Sequence, residues 1–173
     1  MPFAYYDNLT RAQQAIYRKS DRTTEIPLAD SDGLAALATE LEDALGREDR
    51  VAVGRVARQL CQGLCKDQGV AGVKVRVLAR RPASASEELH GLYEQWEDET
   101  PRITVWMRTA RKKQVVAFRT LLRTLLHELC HHLDYNLLEL ADSFHTEGFF
   151  KRESSLFSQL VPERKKQGQL TLF

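Results

Sequence analysis

The sequence predicts an α+β fold: N-terminal helices, a small antiparallel or mixed three-stranded sheet, one long helix and a C-terminal helix. Three observations predict it. Apolar residues recur every three or four positions before residue 70 and again after residue 115. Between these stretches the period drops to two. The longest unbroken helical pattern contains the run LLRTLLHELCHHLDY. At 173 residues one domain is expected, spanning 1–161, with a helical part over 1–70, a core over 73–160 and a flexible tail over 162–173.

Taken in order, Thr10 and Gln13 have the spacing of a capping box and open a helix to about Lys19. Ser31 or Asp32 caps a second helix with the stripe Leu34, Leu37, Ala38, Leu41 and Leu45, ended by Gly46. A third runs from about Asp49, with Val53, Val56, Leu60, Cys61 and Leu64 on one side, and closes at Gly69 and Gly72. Val73, Val75 and Val77 alternate with Lys74 and Arg76 in a first strand. Leu89–Trp96 is a second, weakened by Gly91, and Ile103, Val105 and Met107 mark a third. The last two read as a hairpin, with Ile103–Thr109 at the sheet edge. No Pro or Gly interrupts the chain from Thr109 to His145, so the long helix reads from about Val115. Leu137–Phe144 reads as a short helix, and Glu147 to about Leu160 as the last one, stopped by Pro162.

Composition excludes several classes. Hydrophobic content of 43% and charged content of 28% are those of a globular protein, and a net charge of +1 argues against a strongly basic nucleic-acid binder. Cys61, Cys65 and Cys130 form no disulfide framework; Cys61 and Cys65 read as packing residues in a reducing setting. No secretory h-region or membrane-spanning run is visible, so a cytoplasmic location without membrane association is expected.

Chemistry concentrates at His127-Glu128-Leu129-Cys130-His131. Histidines four apart on a helix face the same way and can share one metal ion, with Glu128 beside any water on it. This is the H-E-x-x-H pattern, and three of the protein's five histidines lie within six residues here. Thr120, Thr124 and Asp134 share the face. A third ligand is needed; His145 is the leading candidate, with Glu147, Asp142, Asp134 and His132 as alternatives. His132, adjacent to a ligand, points elsewhere, and with Asp134 it is suited to orienting an imidazole.

HELCHHLDY followed by FHTEGFFKRESSL resembles the SprT-like and WLM-type zinc metallopeptidases. The resemblance covers roughly residues 73–160 and implies a zincin-like fold, bound Zn2+, ligands His127, His131 and His145, and a Phe149 matching the family's H-x-x-x-F. Thr146 departs from a frequent Gly, and a four-cysteine zinc ribbon is missing. The implied reaction is hydrolysis of a protein or peptide substrate, with Glu128 as proton acceptor from a zinc-bound water. Tyr93, Trp106 and Tyr135 are candidates for the cleft wall.

The tail ends Gln169-Leu170-Thr171-Leu172-Phe173, apolar residues on a polar segment. It resembles the bacterial sliding-clamp-binding peptide Q-L-(S/D)-L-F; the alternative is that Leu170, Leu172 and Phe173 fold back onto the core. Protease and clamp peptide together resemble the Spartan-type arrangement, which acts on proteins crosslinked to DNA. Arg108, Arg111, Lys112, Lys113, Arg119 and Arg123 are candidate phosphate contacts or a solvated basic connector. Competing readings are a cytoplasmic protease that cleaves a repressor, and a non-catalytic adaptor with a vestigial metal site. The tail makes a direct prediction: purified sliding clamp captures the full chain and fails to capture a chain lacking residues 169–173. Equal capture of the two would remove the tether.

Overall fold

A capping box opens the first helix, α1 (Arg11–Arg22): Gln13 N donates to Thr10 Oγ1 at 3.2 Å, and Thr10 N to Gln13 Oε1 at 2.9 Å. A 3-10 turn at Ala4–Asn8, which periodicity does not reveal, precedes it. The computed structural model describes residues 1–83 and 90–162. The cap of α2 (Ser31–Gly46) is Asp30 rather than Ser31 or Asp32, because Asp67 accepts from the Asp30 amide and brings the chain in one residue early. Asp49 caps α3 (Arg50–Asp67), and Gly69, at φ +67°, takes the left-handed turn that releases the chain.

The sheet is mixed. Strands β1 (Lys74–Arg80), β2 (Gly91–Glu94) and β3 (Arg102–Arg108) lie in the order β1-β3-β2. β3 runs parallel to β1, with Val75 opposite Ile103 and Val77 opposite Val105, and antiparallel to β2, with Gly91 opposite Val105. This corrects the expectation that Ile103–Thr109 is an edge: β3 is central, and β1 and β2 are the edges. Alternation cannot rank strands, because sheet order is a long-range property.

The long helix is α4 (Phe118–Asn136). It starts later than expected: Val116 N donates to Met107 O, and Val115 bridges Arg108, so both valines extend the sheet end instead. Leu137–Phe144 forms no helix; it turns back through Glu139, at φ +53°, and runs into α5 (Glu147–Leu160).

α3 packs on β1, and α4 packs on β2 and β3; α2 contacts α3, α4 and α5, and α1 contacts α5. One apolar core cluster runs from Ile26 to Leu160, drawing on both the N-terminal helices and the sheet. All three cysteines lie buried in it as free thiols. Burial pushes the Cys65 thiol up to about 11, so it packs as a neutral side chain. Among the described residues, no helix is long and apolar enough to cross a membrane.

Candidate metal centre

His127 and His131 stand one turn apart on α4, and His145 sits in the returning loop, two residues before α5. Each of the three offers a ligand atom, and these atoms all lie within 4.8 Å of one another. The His131 and His145 Nε2 atoms are 3.1 Å apart. Two nitrogens on a tetrahedral zinc with bonds of 2.0–2.1 Å would be about 3.3 Å apart, so the spacing suits one cation. The donor set fits as well: three imidazoles, with Glu128 lining the same cavity of about 530 Å³. The metal's identity is not fixed by this geometry. Of the alternative ligands, Asp134 is buried in an ion pair, and Glu147 is turned to Lys151.

Phe149 explains how three imidazoles from two segments meet. Its fully buried ring lies 5.0, 4.8 and 5.0 Å from the rings of His127, His131 and His145. The Thr146 hydroxyl accepts from Phe149 N at 2.9 Å, capping α5 and fixing this floor.

Each ligand is also steered from behind. His131 Nδ1 lies 2.7 Å from Ser143 Oγ, which donates to Asp134 Oδ2 at 2.7 Å. Asp134 in turn pairs with Arg152, both fully buried. His127 Nδ1 lies 3.5 Å from the Glu153 carboxylate. These partners leave Nε2 of both rings for a metal. His145 is held through its backbone: the Tyr5 hydroxyl donates to its carbonyl at 2.6 Å. His132 points away, with Nε2 2.7 Å from Ala71 O and Nδ1 3.0 Å from the Tyr93 hydroxyl. Tyr93 stacks on both His131 and Tyr135.

Sequence reading missed Tyr5, Gly91, Ser143, Arg152 and Glu153. Gly91 matters most. A Cβ there would sit 2.8 Å from Thr124 Cγ2 and 2.9 Å from Glu128 Cγ and Oε1, so only hydrogen leaves room for the Glu128 side chain. The expected basic cluster divides: Arg108 pairs with Glu48, while Arg119 and Arg123 lie over the Phe157 ring. Gln169–Phe173 lie outside the described residues.

Burial opposes charge throughout. It raises the Glu128 carboxyl to about 7, against the pull of His127 and helped by Glu153. It lowers His131 to about 3, with His127 and His145 adding to the effect, and lowers His145 likewise.

The chain matches no family model, no curated protein and no solved structure. Its class rests on its own fold and site: an α+β protein with three histidines placed to hold a metal ion.

Two outcomes are expected. Tyr5→Phe should raise the metal dissociation constant about tenfold in chelator competition, because the His145 backbone loses its anchor; an unchanged constant would dismiss the anchor. The second concerns pH. A carboxyl raised from 4.5 to about 7 binds its proton more tightly folded than unfolded, so the metal-free protein loses stability as pH rises through that window. Glu128→Gln removes that loss, stabilising the metal-free protein at pH 8 by on the order of 2–3 kcal/mol and by little below pH 4, as read by urea unfolding.

Proposed function

We propose that this chain is a zinc-dependent peptidase with a zincin-like fold, of the SprT-like type. The observation that carries the reading is Glu128, a buried carboxylate lining the same cavity as His127, His131 and His145. A purely structural metal site has no use for a carboxylate beside its open side.

Zinc, when bound, would lower the pKa of a water towards about 7 and polarise a carbonyl. The chain supplies the rest. Glu128 takes the proton of the attacking water and passes it to the leaving amine. Its burial strengthens its hold on that proton during the exchange. Gly91 keeps the space in which the carboxylate moves. The Ser143–Asp134 pair and Glu153 hold the imidazoles in register while charge redistributes. The outer edge of β2, which begins at the cavity wall with Gly91, offers backbone groups to an extended peptide.

Recruitment belongs to the same proposal. Gln169, Leu170, Leu172 and Phe173 form a peptide for the replication sliding clamp, which would bring the protease to DNA-associated or DNA-crosslinked proteins. The resemblance of the tail and of the H-E-x-x-H segment supports this.

Glu128→Gln is the decisive variant. Loaded with one zinc per chain, it should lose 10²- to 10⁴-fold in self-cleavage or casein cleavage while binding zinc as the parent does. Adding single-stranded DNA to the parent tests DNA coupling in the same assay. Equal turnover by parent and variant would overturn the mechanism.

A further inference from the structure

Arg123 lies one turn before His127 on α4 and lines the same cavity as the three histidines and Glu128. Its guanidinium sits 4.0 Å over the Phe157 ring. That contact fixes the position of the charge without neutralising it. Among the described residues, the Arg123 side chain meets no carboxylate and makes no hydrogen bond. The carboxylates that line the cavity, Glu128 and Glu153, stand at the histidines instead.

We infer that Arg123 is a specificity residue, which selects a substrate carrying a carboxylate side chain within two residues of the cleaved bond. The distance follows from helix geometry. Four residues of α-helix rise about 6 Å, and an extended peptide advances about 3.3 Å per residue. The backbones of Arg123 and His127 are thus about two extended residues apart, and because both side chains line one cavity, a substrate side chain one or two residues from the reacting carbonyl is the one that faces the guanidinium. A glutamate at that distance can present both carboxylate oxygens to the planar Arg123 guanidinium, which lines the histidine cavity. A nucleic-acid strand needs cations spread along its backbone, whereas Arg119 and Arg123 converge on the single ring of Phe157.

The inference rests on the peptidase reading, and the experiment separates the two. Three quenched-fluorescence peptide libraries, identical except for glutamate, glutamine or lysine fixed near the cleavage position, are offered to the zinc-loaded full chain at low salt. In parallel, their binding to the zinc-loaded Glu128→Gln variant is read by anisotropy. Glutamate should be favoured at least tenfold in kcat/KM and in binding. Arg123→Gln should bring both ratios to about one, Arg123→Lys should keep part of the preference, and Arg123→Glu should reverse it towards lysine peptides. Hydrolysis without a glutamate preference overturns the inference and leaves the peptidase. Acid-selective binding without hydrolysis overturns the peptidase and leaves the selectivity. A single-stranded oligonucleotide that displaces the acidic peptides with equal affinity, and loses this on Arg123→Gln, assigns the cation to phosphate and overturns the inference. Neither hydrolysis nor binding overturns both.

Discussion

The site depends on a salt bridge that water never reaches. Arg152 of α5 and Asp134 of α4 pair at 3.0 Å with no exposure on either side. Such a pair is costly to desolvate and needs further hydrogen bonds to offset that cost; among the described residues only Nε of this guanidinium finds none. Here Arg152 also donates to the carbonyls of Ser20 and Thr23 and to Ser20 Oγ, and Asp134 accepts from Ser143. Ser143 in turn touches His131. A change that loosens α1 or α5 therefore reaches an imidazole through four groups in hydrogen-bond contact. Breaking one member would strand a buried charge, at about 3–5 kcal/mol, so the network is an all-or-none support.

The same burial sets the electrostatic character of the trio. Three imidazoles around one aromatic floor cannot hold three protons; burial and mutual repulsion push His131 and His145 towards the neutral form. Neutral imidazole is the ligating form, so the fold favours a divalent cation over protons at the same point. Glu128 is pushed the other way and prefers its proton. The pocket that disfavours positive imidazoles also disfavours a negative carboxylate, and a bound cation would relieve the second cost while exploiting the first.

Local pattern made much of this legible. The capping box at Thr10, the stripe of α3, the alternation of β1 and the i, i+4 histidines all depend on residues within a turn or two of one another, and the structure places them as read. Convergence of His145 with the pair was reachable from the chain length needed to leave a helix and return. What failed was long-range. Gly91 looked like a weakness in a strand, yet its missing side chain is what Glu128 requires, 37 residues further along. Glu153 carries no local signal at all; the packing of α5 on α4 sets it against His127. Val115 carried the helical period but, with Val116, was captured by the end of β3.

The N-terminal helices, which no motif explains, find their reason at the third ligand. His145 belongs to an irregular loop and cannot be positioned by helical geometry, so its place must be measured against something rigid. α1 supplies that reference. Asp21 accepts from Gly148 N at 2.8 Å, and Ser20 Oγ lies 3.2 Å from Thr146 Oγ1, fixing the first turn of α5 immediately after the ligand. The backbones approach so closely that a Cβ on Gly148 would fall 2.6 Å from Asp21 O, which excludes any other residue there without movement. Tyr5, ahead of α1 and edge-on to Tyr17, reaches the His145 carbonyl from the other side. α4 sets two imidazoles by its own period, and the third is set by a helix more than a hundred residues earlier in the chain. The first helix is for this reason a working part of the candidate metal centre rather than an appendage to it.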